Sequence, residues 1–176
     1  VVVGPTVSGA ATCISGQTCT FDGLIGNHLQ NNDKVVALDT CGLNTALVPR
    51  FTNAGVAQVL SMSGANFRWG AEEPTAQGGT YRLCWCGTGF PCSAAEDYRT
   101  DVGELLLIGP APLDQDRTCV AGQTCSFDGL TGTNIHGPNA FMLLDTCGVH
   151  HSTSPQNVSG NVSGNTLAPN IEEKSS

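Results

Sequence analysis

The chain has 176 residues, a net charge of −8 and a pI near 4.7, with its seven Lys and Arg scattered singly. Phosphate recognition needs clustered basic side chains, so this balance excludes nucleic acid and anionic membrane surfaces as partners. No apolar run approaches the roughly 20 residues of a membrane span, and ELLLIGPAPL at 104–113 is broken by proline, so no membrane insertion is expected.

Nine cysteines, 22 glycines and few charges describe an oxidised, secreted, disulfide-stapled protein. A reduced zinc protein would need CxxC knuckles or histidines at ligand spacing, and the sequence has neither. A start at Val1, with neither Met nor signal peptide, is expected of a processed product or a piece of a longer polypeptide.

In chain order, Val1, Val2 and Val3 predict a short β-branched strand, and Gly4-Pro5 a break after it. Cys13 and Cys19 enclose ISGQT, a turn-rich loop. Residues 18–21 read as a strand and Asp22-Gly23 as a turn. KVVALD at 34–39 is the next strand, ended by Cys41-Gly42. GVAQVLSMS at 55–63 alternates, with Val56, Gln58, Leu60 and Met62 on one side, and residues 66–69 give a short aromatic strand. GGTYRLCWC at 78–86 places Tyr81, Leu83 and Trp85 on one face and Arg82, Cys84 and Cys86 on the other. Cys86 and Cys92 bracket another small loop. SAAEDY at 93–98 has room for one helical turn, with Ser93 as cap and Glu96 in the capping-box position. GELLLI at 103–108 completes the set.

There the sequence starts again. TCISGQTCTFDGLIG at 12–26 returns as TCVAGQTCSFDGLTG at 118–132, and LDTCG at 38–42 returns at 144–148. Both islands keep one offset of 106, as from Cys13 to Cys119 and from Cys41 to Cys147. VVVGP at 1–5 echoes LLIGP at 106–110, one residue out of phase. So long a period suits a tandem array of whole small domains. The second copy offers AFMLLD at 140–145 as its strand, apolar enough to predict that both faces are covered.

These patterns predict an all-β protein: tandem disulfide-stapled β-sandwich modules of Ig-like or Greek-key type, the second module incomplete. A small barrel is the alternative. Residues 1–109 form the complete module, 110–149 a partial second one, and 150–176 a low-complexity, glycosylatable tail.

Six cysteines in the first copy (Cys13, Cys19, Cys41, Cys84, Cys86 and Cys92) allow 15 connectivities, and sequence alone does not choose. Loop length favours Cys13 with Cys19 and Cys86 with Cys92, leaving Cys41 for Cys84. Cys119 and Cys125 clip each other in the same way, which leaves Cys147 without the partner that Cys84 would supply. Asn157 and Asn161 head tandem NVS sequons, and Ser152, Thr153 and Ser154 beside Pro155 suit O-glycans. No other cofactor is expected.

Catalysis is hard to assemble. Superposing the copies sets His28 against Asn134 and His136 against Gln30, so no histidine keeps its place, and His150-His151 lacks further metal ligands. Asp22, Asp128, Asp39 and Asp145 recur before turn residues, which Asx-type hydrogen bonding explains. Asp97, Asp101, Glu104, Asp114 and Asp116 crowd the joint between copies, but without EF-hand spacing a calcium site is not expected. Trp69, Tyr81, Trp85 and Phe90 could stack on sugars, yet core packing suits most of them better.

GGTYRLCWC, the TCxxGQTC loop, LDTCG and DVGELLLIGP together resemble a tandem cysteine-rich module of very large surface proteins predicted for alveolate protists. YRLCWC carries the most specific part, and the tail lies outside the resemblance. It implies a secreted or surface multi-module protein with no assigned enzyme activity. The expected role is therefore that of an extracellular structural protein and not an enzyme. It would be a building block of a surface coat, appendage or filament, assembled head to tail by strand addition through Val1, Val2 and Val3. Its partners would be copies of itself or further modules of the same polypeptide. The alternative is an adhesin or lectin module that binds glycans or protein.

Overall fold

The computed structural model describes residues 1–6, 9–61, 65–136, 139–144, 146–148, 161–163 and 166–168. The expected residues Met62, Ser63, Asp145, His150, His151, Ser152, Thr153, Ser154 and Asn157 lie outside that set.

Nine strands belong to the first repeat: β1 (Gly4–Pro5), β2 (Gly9–Ile14), β3 (Thr20–Phe21), β4 (Gly26–Asn27), β5 (Lys34–Leu38), β6 (Val56–Ser61), β7 (Asn66–Arg68), β8 (Gly79–Cys86) and β9 (Thr100–Pro110). Strand order is β2-β9-β8-β5-β6-β7-β3. Within it β5, β6 and β7 run as a meander, and β8 returns to lie beside β5, which is a Greek key.

Strand β6 turns the corner between two layers. Its start, Val56 and Ala57, pairs with β5, while Gln58, Val59 and Ser61 pair with β7 across a register shift. The two ends of the path, β2 and β3, are consecutive in sequence and tied by the Cys13–Cys19 bond. The result is a disulfide-stapled all-β sandwich.

Its core holds Phe21, Val35, Ala37, Phe67, Trp69, Leu83, Val102, Leu105 and Leu107. Phe21 stacks on Phe67 with ring centroids 6.3 Å apart, and Phe51 meets Trp69 edge-on at 5.5 Å. Trp69 Nε1 donates to the Gly55 carbonyl at 2.7 Å, so the indole is buried without an unpaired donor. The opposite face of β5 and β8 is also covered. Val36, Leu38, Cys84 and Cys86 pack there with Ala95 and Tyr98, beneath the segment that the Cys86–Cys92 bond closes. Two covered faces explain why KVVAL is apolar at every position but the first.

The Cys119–Cys125 clip and the Cys41–Cys84 bond, the pair left once the short clips are assigned, complete the four expected disulfides. Four disulfides require an oxidising compartment for maturation. No helix among the described residues is long and apolar enough to cross a membrane.

Several elements differ from the sequence expectation. Residues 1–3 are not a strand; Gly4-Pro5, expected as a break, is β1 and pairs with β4. Proline is tolerated there because the pair is an isolated two-residue edge. Strand β2 was not expected at all. Within residues 93–98 there is one 3₁₀ turn (Ala95–Asp97); its N-cap is Ala94 rather than Ser93, and Asp97 rather than Glu96 takes the capping-box position.

The Asp97 carboxylate accepts from Ser93 N at 2.9 Å, Ala94 N at 3.0 Å and Ser93 Oγ at 3.1 Å. The two backbone donors hold its carboxyl below the usual range. A depressed acid stabilises above its unfolded pKa, about 4, and that contribution is lost as pH falls through the folded value. Hydrogen exchange at the Ser93 and Ala94 amides should therefore accelerate, beyond the intrinsic pH trend, only below about pH 4. Acceleration beginning near neutrality would contradict this cap.

Candidate functional site

The feature that sets this chain apart lies at the joint between repeats. Strand β9 is eleven residues long and does not stop where the first repeat ends. Residues 103–108 pair in parallel with β2, and residues up to Leu107 pair antiparallel with β8. Its last two, Gly109 and Pro110, pair instead with β10 (Gly132–Thr133) in the second repeat.

That second pairing copies the first repeat. Gly4 pairs with Asn27 and Pro5 with Gly26; Gly109 pairs with Thr133 and Pro110 with Gly132. The surrounding hydrogen bonds recur as well. Thr6 N donates to Ile25 O at 2.7 Å and Ala111 N to Thr131 O at 3.1 Å, Gln17 N to Ile14 O at 3.1 Å and Gln123 N to Val120 O at 3.2 Å. Asp33 N donates to Gln30 O at 3.1 Å, and Asn139 N to His136 O at 3.0 Å. His28 and Asn134 share the left-handed conformation, with φ of 56° and 51°. His28 therefore holds a turn position, and Asn134 serves equally well there because Asn tolerates that region.

Glycine is required at the joint by contact. A Cβ on Gly26 would lie 2.6 Å from Gly4 O and 2.9 Å from Leu29 Cγ; on Gly132 it would meet Gly109 O and Ile135 Cδ1. Gly132→Ala should break the β9–β10 pair and speed exchange of the Ala111 amide at least about 10-fold, the equivalent of 1.4 kcal/mol or more. Strand β5 would keep its protection. Unchanged exchange at Ala111 would show that the joint does not depend on this approach.

The sequence match of residues 1–5 to 106–110 now has a structural meaning. Val1, Val2 and Val3 correspond to Leu106, Leu107 and Ile108, which here pair with β2 as the end of a last strand. The valines themselves are bare, at 110%, 87% and 52% exposure. On the second repeat, the residues matching the β2 partners are Thr118, Cys119 and Val120, all exposed and outside any strand.

Among the described residues the second repeat is thus half built. Each of its features whose counterpart is made within residues 1–33 is present: the clip, the turns and the short strand pair. Each whose counterpart is made by β6 to β9 is missing among the described residues. Residues 140–144 form no strand, correcting the expectation for AFMLLD, and Met142 and Leu143 are exposed rather than covered on both faces. Their counterparts Val36 and Ala37 are 1% and 0% exposed between β6 and β8. Only Ile135, with Leu130 and Phe141, forms a small cluster. Cys147 carries a free, exposed thiol where its counterpart Cys41 is bonded to Cys84.

Other expected sites do not assemble. Trp69 and Tyr81 are buried, Trp85 is half-buried with its ring against Gly4 and Gly87, and only Phe90 of the four stacking residues is exposed. Asp101 forms a two-pronged pair with Arg82, both contacts 2.8 Å, and Asp97 is occupied by its own turn. No three His, Cys, Asp or Glu gather as a metal group among the described residues. A recess of about 60 Å³ lined by Leu130, Thr131, Gly132 and Ile135 is far below the size of a ligand pocket.

Sequence reasoning passed over Asp33. This 5% exposed carboxylate accepts from Gln30 N, Thr88 N and Thr88 Oγ1 at 2.8–2.9 Å, fastening the start of β5 to the Cys86–Cys92 loop. The acid heading a strand after Asn31-Asn32 was its only signal, and turn-forming acids are common. In the tail, β11 (Asn161–Ser163) and β12 (Thr166–Ala168) pair antiparallel, so Asn161 opens a hairpin strand within the expected low-complexity segment. No protein-family model, curated protein or solved structure matches this chain.

Proposed function

We propose that the protein is an extracellular structural unit, one segment of an end-to-end array in a coat, appendage or filament. The observation that carries this reading is the shared strand: β9 closes one repeat and opens the next without a linker. A joint made of one continuous strand transmits orientation from repeat to repeat, as a stiff fibre requires. The four disulfides and the resemblance to cysteine-rich surface modules support an extracellular setting.

In the array, Val1, Val2 and Val3 of one copy pair in parallel with Thr118, Cys119 and Val120 of another, in the register that Leu106, Leu107 and Ile108 adopt against Thr12, Cys13 and Ile14. Such a heterologous contact does not close, so it propagates. Asn157 and Asn161 carry N-glycans on the outside. No enzymatic step is assigned. No arrangement of exposed rings favours the adhesin reading over this one.

Electron microscopy of the oxidised protein without added ligand should show linear polymers. Glycan-array binding by a monodisperse monomer would replace this reading with the adhesin one. Mass spectrometry of native material should find Asn157 and Asn161 modified.

A further inference from the structure

We infer that the first half of the second repeat is a docking face for the second half of another repeat of the same type, the β6–β9 pattern, sealed by a disulfide to Cys147. The inference rests on the repeat reading above and specifies what the exposed second repeat accepts.

The first repeat supplies the template. Its β5 is held on one edge by β6 and on the other by β8, its β2 by β9, and its Phe21 by Phe67 of β7. All four partners come from residues 56–110. The second repeat presents each matching segment without a strand beside it: residues 140–144 for β5, residues 115–120 for β2, and half-buried Phe127 for Phe21. Met142 and Leu143, at 48% and 74% exposure, sit where the template buries its counterparts completely. An exposed apolar strand sequence with free edges is a site for strand addition. One short strand would leave most of this surface wet. A whole β6–β9 half covers it in the observed register.

Cys147 fixes the alignment. Cys41 reaches Cys84 with Cα atoms 5.4 Å apart because β5 and β8 are neighbours, so a β8-type strand beside residues 140–144 brings its own cysteine to Cys147. The bond forms by exchange with an external disulfide such as oxidised glutathione. The two protein thiols lose two protons and two electrons, and that disulfide is reduced to two thiols. The β8 of a folded copy is already engaged in its own sandwich, so the occupant is an additional half-repeat. It ends in a strand of the Leu106–Leu107–Ile108 kind, which pairs with residues 118–120 as β9 does with β2.

The test is a chimera in which residues 1–148 are followed directly by a duplicate of residues 43–110, oxidised in a glutathione buffer. Non-reducing peptide mapping should join Cys147 to the duplicated Cys84. The amides of residues 141–144 should exchange at least about 100-fold more slowly than in the parent chain. A Cys147→Ser chimera should keep that protection without the bond, showing that the face itself recognises the half-repeat. Leu143→Asp in the chimera should abolish it at residues 141–144 while β5 stays protected.

The inference is overturned if Cys147 remains open to alkylation and residues 141–144 exchange as in the parent while β5 is protected. Because the added half occupies the edge that Val1, Val2 and Val3 would reach, the chimera should not polymerise. Absence of polymers from the parent chain would count against the array reading alone.

Discussion

Trp69→Ala should destabilise the first repeat by about 4 kcal/mol, the usual loss for emptying a large aromatic site. The indole is 1% exposed, meets Phe51 edge-on and donates to Gly55 O. Trp69→Phe keeps most of the packing but strands that carbonyl, and should cost about 1–3 kcal/mol. Urea unfolding followed by near-ultraviolet circular dichroism measures both. Equal losses for the two variants would show that the hydrogen bond, rather than the filled volume, carries the site.

Removing the Cys41–Cys84 bond by the double Ser variant should cost a similar amount. The bond spans 43 residues, against six for Cys13–Cys19. In the chain-entropy account, closure of the longer loop contributes about 4 kcal/mol and of the shorter about 2. The Cys41→Ser/Cys84→Ser protein should therefore unfold at markedly lower urea than Cys13→Ser/Cys19→Ser. The reverse order would mean that the small clip, by tying β2 to β3, contributes more to the native state than chain entropy allows.

What could be read from the sequence divides along one physical line. Features settled by neighbouring residues were legible: the six-residue clips, the glycine turns, the alternation of GGTYRLCWC and the repeat itself. Features settled by distant partners were not, apart from the Cys41–Cys84 bond, which followed once the short clips had claimed the other four cysteines. Strand β2 is GAATCI, without the β-branched or aromatic run that marks a strand. It is a strand because residues 103 to 108 lie alongside; a Cβ on Gly103 would strike the Gly9 carbonyl, and one on Gly9 would lie 2.7 Å from the Phe21 ring.

AFMLLD is the converse. It is the better strand sequence, yet without counterparts of β6 and β8 its backbone groups have no ladder to join and it forms none. The same contrast governed the site. The Val1–Val3 match to β9 was visible, but its meaning needed the pairing of Gly109 and Pro110 with β10. Asp33 was hidden because its partner Thr88 lies in a different loop.

In the proposed array, residues 1–3 complete the β2-type edge of another copy. Hydrogen exchange of the oxidised full-length chain, followed from low to high protein concentration, tests it most directly. The amides of Val2 and Val3 and those of Thr118, Cys119 and Val120 should gain protection together as concentration rises. Val2→Pro, which removes a strand donor, should cancel both gains and leave β5 unaffected. Exchange at both segments that stays fast and independent of concentration would contradict the account.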